Sequence, residues 1–242
     1  MTSTKSTRRA LGLSTIVCVC VVFAGCGHMH RFKSRRERRD GLGLEPAKAA
    51  EVQIALGRSL EADKDFDSAI AAYREATKRA PKRPEAHLRL AILLDRLGRF
   101  AEAAPEYDAA IKASPADAEI YADRGYSLCL QGRDAEGEAL LRQAISIKPD
   151  LARAHNNLGI VLGRAGRTSE ALAEFQKAGV PEVNAHLNLA FALGQSRRWS
   201  EARKQVELAK GLTPRHPDSV DQASHLEALI AQAEASKRDG LS

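Results

Sequence analysis

Aromatic side chains are scarce in this 242-residue chain, at 5% of residues with a single Trp. Leucine, alanine, glutamate and arginine carry the composition instead, which favours helices packed through small residues over sheets. Cysteine is scarce too. Cys18 and Cys20 lie inside one apolar run, Cys26 closes it, and Cys129 stands alone. No disulfide framework follows, and the cysteines say nothing about redox compartment. The chain also lacks HExxH, CxxC, a Gly-rich phosphate loop after a strand, and a nucleophile elbow, the arrangements that would mark common enzyme sites. No catalytic residue, cofactor, metal site or small-molecule substrate is expected.

A basic body is missing as well. The formal net charge is +6, but residues 1–25 hold Lys5, Arg8 and Arg9 with no acid, and residues 26–49 hold seven bases against three acids. Residues 50–242 are left with 27 bases and 28 acids. Nucleic-acid binding puts its lysines and arginines on a folded face, so it is not expected here.

What is present begins at the N-terminus. MTSTKSTRR is polar and basic, and residues 10–25, ALGLSTIVCVCVVFAG, carry no charge. These 16 residues fall short of the ~20 that span a bilayer as a helix. A basic start, a short apolar stretch and small residues before a cut describe a secretory signal peptide. Phe23-Ala24-Gly25-Cys26 resembles the lipobox of bacterial lipoproteins, with Phe23 where Leu is usual. The resemblance implies cleavage before Cys26 and lipid on its thiol, with a periplasm-facing, membrane-anchored protein. Six bases between Arg31 and Arg39 follow closely. They add a second contact to an anionic membrane, or they hold an uncleaved anchor with its body in the cytoplasm. Residues 26–49 read as a basic tether either way.

From residue 50 the chain repeats itself. Four segments align at a 34-residue period, 50–83, 84–117, 118–151 and 183–216, and a fifth, 152–182, is three residues shorter. Leu56, Leu90, Leu158 and Leu189 share one place, and Leu60, Leu94, Leu128, Leu162 and Leu193 follow four residues later. Such spacing marks one helical face. Ala69, Ala103, Gly137, Ala171 and Ala202 share a small place. A bulky one follows at Tyr73, Tyr107, Leu141, Phe175 and Val206, and then Ala76, Ala110, Ala144, Ala178 and Ala209. Gly98, Gly132 and Gly166 stop the first helix, and Pro81, Pro115, Pro149 and Pro214 stop the second.

This pattern resembles the tetratricopeptide repeat family. The resemblance implies an all-α fold, a right-handed superhelix of about five helix-turn-helix units with residues 217–242 as capping helix and tail. The family's early Trp is replaced by Gln53, His87, Tyr121, His155 and His186, and the histidines read as packing residues. Glu102, Glu136, Glu170 and Glu201 recur early in second helices, where they complement the helix dipole. Arg124 replaces a Leu, Gly137 is expected to loosen the third unit, Pro105 to kink its helix or shift the start, and Gly179-Val180-Pro181 to end a helix early. Cys129 reads as a small buried apolar residue.

Within the family, first helices line a concave face that binds protein segments. That resemblance puts Arg89, Tyr126, Arg153, Asn156, Asn157, Ile160, Asn188 and Phe191 in the groove. Asn157 and Asn188 share one place, and an amide that both donates and accepts suits the backbone of an extended peptide. The alternative is that these amides serve neighbouring backbone. The lipobox, together with AHNNLGIVLGRAGRTSEALAEFQKAGVPEVNAHLNLAFALGQSRRWSEAR, is similar to bacterial tetratricopeptide lipoproteins of pilus and secretion assembly, especially the tight-adherence type. The expected partners are a protein or extended peptide and, through Cys26 and residues 31–39, a membrane.

Overall fold

The period of the sequence reappears as a period of helix starts. The computed structural model describes residues 44–212 and 220–238. The expected lipid site, the basic segment 31–39 and Pro214 lie outside that range, while the tether expected over 26–49 ends inside it, where Pro46 opens the first helix and Ala49 is already buried. Five antiparallel helix pairs follow one another: α1 (Pro46–Ala62) with α2 (Phe66–Arg79), α3 (Pro84–Arg96) with α4 (Phe100–Ala113), α5 (Ala118–Leu130) with α6 (Asp134–Ile147), α7 (Ala152–Arg164) with α8 (Thr168–Lys177), and α9 (Glu182–Gln195) with α10 (Trp199–Leu212). A last helix, α11 (Val220–Arg238), packs on α9 and α10 through Ala223 and Ile230. The described residues form no strand, and none of their helices is long and apolar enough to cross a membrane. The fold is all-α, a superhelical array of repeats.

One local device closes every first helix. The carbonyls of Leu60, Leu94, Leu128, Leu162 and Leu193 each accept from the backbone N–H five residues on, at 2.8 to 2.9 Å. The residue before that N–H turns left-handed: Gly98, Gly132 and Gly166 at φ 70 to 75°, but Lys64 and Arg197 at φ 62° and 59° in the first and last pairs. The turn then feeds the second helix, where Arg99, Arg133, Arg167 and Arg198 each grip the glutamate three residues later. Each arginine holds its glutamate's carboxyl below the usual range. The recurring acids therefore pair with the arginine at the turn besides facing the helix dipole.

Packing between the two helices of a pair turns on size. Gly57 and Gly159 lie flat against the rings of Tyr73 and Phe175, where an added Cβ would sit 2.5 and 2.7 Å from ring carbons. Gly125 and Gly137 face each other across α5 and α6, and a Cβ on Gly137 would lie 2.8 Å from the Gly125 carbonyl oxygen. Gly137 thus draws the third pair together rather than loosening it. The buried Cys129 sulfur fills the space beside it, and burial pushes its thiol up to about 11. Pro105 sits inside α4 without shifting its start, since α4 begins 34 residues after α2 and α6 begins 34 after α4. As expected, α8 ends early, with 10 residues against 14 in α2, α4, α6 and α10.

The apolar core divides in two. One cluster covers the first two pairs, and the other runs from α5 to α11. Between them stands Arg124, in the place that Leu90, Leu158 and Leu189 fill elsewhere. Its guanidinium lies over the Tyr107 ring at 5.5 Å, so the aromatic face supplies the contact that an aliphatic side chain makes in other units.

Candidate functional site

First helices touch first helices along the array: α1 with α3, α3 with α5, α5 with α7, and α7 with α9. Their outward side chains make one continuous face, and helical spacing places the expected groove residues on it. Two hollows open there. The lower, about 100 Å³, is lined by Tyr126, Cys129 and Leu130 of α5, Asn157, Ile160, Val161 and Arg164 of α7, and Phe191 and Gln195 of α9. The upper, about 370 Å³, lies among Pro84, Glu85, Leu88, Arg89 and Ile92 of α3, Asp117 just before α5, Glu119, Ile120 and Asp123 of α5, and Arg153 of α7.

The expected residues therefore separate. Tyr126, Asn157, Ile160 and Phe191 come together in the lower hollow, and Arg89 and Arg153 in the upper one. Asn156 and Asn188 are half-buried on α7 and α9 and line neither. Tyr126, Leu130 and Phe191 are exposed at 45, 48 and 50%, an unusual cost for three large apolar residues on one side of a small protein. Among the described residues, the side-chain amides of Asn156, Asn157 and Asn188 make no hydrogen bond to the protein. They are not consumed by neighbouring backbone. Leu130 and Gln195 were not foreseen, although Leu130 stands one turn after Tyr126 on the same helix.

The two arginines differ. Arg153 is held by Glu119, and by Asp123 at 2.7 Å, so its charge is neutralised within the groove. Arg89 makes no ion pair among the described residues. Burial raises the Asp123 carboxyl to about 6 against the pull of Arg153, which leaves one acid of the groove titrating near neutrality.

His155 and His87 are structural. His155 places Nδ1 2.5 Å from the Glu174 carboxylate and Nε2 2.8 Å from the Pro149 carbonyl oxygen. His87 does the same with Glu106 and Pro81, at 2.6 and 3.1 Å. Each ties the start of one pair to the proline turn that closes the pair before.

The tetratricopeptide repeat model matches residues 54–118, 88–152 and 131–182, together more than half of the chain. The chain belongs to the tetratricopeptide repeat family. Its fold is shared with PilW, a widely conserved type IV pilus biogenesis factor, at 22% identity and a TM-score of 0.61, covering 78% of this chain and 87% of that one. YrrB, described as a tetratricopeptide repeat protein with an unusual peptide-binding site, superposes at 17% identity and TM-score 0.54, covering 76% and 98%. In the Cut9–Hcn1 hetero-tetramer the match has 16% identity and TM-score 0.59, and spans 77% of this chain but only 37% of that one. No curated protein matches on sequence. At these identities the likeness is one of fold. The tetratricopeptide array is a protein-interaction scaffold, and no catalytic family is matched.

Proposed function

We propose that this tetratricopeptide protein is a non-catalytic adaptor, held at a membrane of the bacterial cell envelope by lipid on Cys26, that grips an extended protein segment during assembly of an envelope complex such as a pilus or secretion system. One observation carries the binding reading. Unpartnered asparagine amides on α7 and α9 stand beside three exposed large apolar side chains, so a backbone and an apolar anchor are both served along one face. The lipobox at Phe23–Cys26 and the basic segment 31–39 support the tether. Likeness in fold to a type IV pilus biogenesis factor is in keeping with such a setting, and the tight-adherence type is carried by the sequence resemblance alone.

The tether is tested with Cys26→Ser. The variant accumulates as unprocessed precursor and takes up no labelled palmitate. If it keeps the wild-type size and membrane association, the chain is instead an uncleaved, cytoplasm-facing scaffold, the reading that the six bases at 31–39 favour. The groove is tested with Asn157→Ala combined with Asn188→Ala. Cross-linked partner from envelope fractions is lost while helicity stays unchanged; retained capture sinks the backbone-gripping idea.

A further inference from the structure

Three of the four junctions between helix pairs are closed by the chain's own proline turns. His87, Tyr121 and His155 hold one repeat place, and each meets the carbonyl of the proline six residues before it: Pro81 at 3.1 Å, Pro115 at 3.2 Å and Pro149 at 2.8 Å. His186 holds the same place at the fourth junction. Its Nδ1 faces Gln205 at 2.8 Å, and among the described residues its Nε2 has no partner. The cause is the short α8. Gly179 turns left-handed at φ 72° and Val180 N–H bonds the Phe175 carbonyl at 3.0 Å, and Val180 stands where the other three junctions have the proline whose carbonyl is bonded.

A crevice of about 630 Å³ remains between α8 and α9, on a different side from the groove hollows and sharing no residue with them. Leu172, Ala173 and Val180 give it an apolar wall, and His186 and Glu182 line its other side. Glu182 stands one helical turn before His186 on the same face and makes no ion pair among the described residues.

We infer that this crevice is a second binding site, taking an extended, basic, proline-containing segment of a partner protein. The seat is the one that a proline turn occupies at the other three junctions. A backbone carbonyl of the segment accepts from His186 Nε2–H, with the Gln205 amide turned to donate to Nδ1, a rotation that costs no contact since amide O and N are interchangeable in shape. A pyrrolidine ring packs on Leu172, Ala173 and Val180. A lysine or arginine beside the proline meets Glu182, just as Lys82 and Arg83 follow Pro81 in the chain's own first turn. Proline stiffens such a segment into an extended form whose carbonyls are unpaired.

The test uses the full chain in detergent micelles, labelled at Leu and Val methyls and at the histidine rings, titrated with a peptide copying residues 79–84, RAPKRP. Expected are saturable NMR shifts at the His186 ring and the Leu172 and Val180 methyls. His186→Phe weakens binding about fivefold, the worth of one hydrogen bond. Glu182→Gln weakens it and reduces its salt dependence. Ala173→Trp, at an exposed position that leaves the helix intact, abolishes it, while Phe191→Ala in the groove changes nothing. The proposal is overturned if no shift appears by about 5 mM peptide, weaker than a millimolar complex. It is equally overturned if shifts fall only on groove methyls such as Leu130, or if the Ala173→Trp protein binds as the wild type does.

Discussion

Tyr107 donates its hydroxyl to the Asp95 carboxylate across 2.8 Å of buried space, and Tyr73 does the same with Glu61 at 2.9 Å one repeat earlier. The two places change together along the chain. Where the tyrosine gives way to Leu141, Phe175 and Val206, the acid gives way to Cys129, Gly163 and Gly194. A hydroxyl and a carboxylate thus come and go as a pair within one sequence: either tyrosine hydroxyl alone would be a buried polar group without a partner, whereas Glu61 also pairs with Arg96.

Removing the hydroxyl should therefore cost more than an average hydrogen bond. Burial already raises the Asp95 carboxyl, with Tyr107, Ser127 and Arg124 pulling it down. Tyr107→Phe strands one oxygen of that group and is expected to destabilise the protein by about 1–3 kcal/mol in urea unfolding. Tyr107→Leu combined with Asp95→Cys, the pair found in the third unit, should cost less than the sum of the two single changes. Additive costs would show that the two places are independent.

Gly137→Ala tests the close crossing of α5 and α6. The new methyl meets the Gly125 carbonyl and the Cys129 sulfur, and neither can leave without moving backbone or repacking the core. A loss of about 1–3 kcal/mol is expected, against the gain that Gly→Ala usually brings inside a helix. A stabilised variant would mean that the crossing is loose after all.

Most of the array was legible because a 34-residue period repeats the same physical demand at each place. Leucine, alanine and proline spacing was enough for the helix pairs and for the early end of α8. The pairings were less legible, since a period says which residues are equivalent but not which ones meet. Gly137 looked like a weak point when read by helix propensity alone. Its role emerged only from the facing Gly125, twelve residues away and on another helix. The left-handed turn was foreseen where glycine marks it and missed at Lys64 and Arg197, whose side chains give no such signal. In the groove, it was the family resemblance that put Tyr126, Asn157, Ile160 and Phe191 on one face. It did not show that Arg153 is spent on Glu119 and Asp123, or that a shortened helix leaves His186 half satisfied.

The histidine places should differ in what they contribute. His155 is buried with both ring nitrogens engaged, so His155→Phe leaves the Pro149 carbonyl unpaired and Glu174 with Lys177 alone, and is expected to cost about 1–3 kcal/mol. His186→Phe loses only the contact to Gln205 and should cost less than half as much. Urea midpoints of the two variants, compared with unchanged slopes, decide the matter; equal losses would argue that His186 is as tightly held as its counterpart.

The last prediction concerns pH. Asp123 is held at about 6 chiefly by burial, with Arg153 pulling it down and Glu119 pushing it up. An unfolded aspartate titrates near 3.9, so between these values the folded chain binds more protons than the unfolded one. Stability contributed by this site is then greatest below about pH 4 and falls as pH rises through 6, by at most about 3 kcal/mol. Asp123→Asn keeps the shape and removes the titration, so the difference between wild-type and variant unfolding free energies should grow in the variant's favour from pH 4 to pH 7. Loss of the Arg153 pair shifts the variant's curve by a constant and does not alter that slope. A difference that stays flat across the range would place the carboxyl at an ordinary value and leave Arg153 as its dominant neighbour.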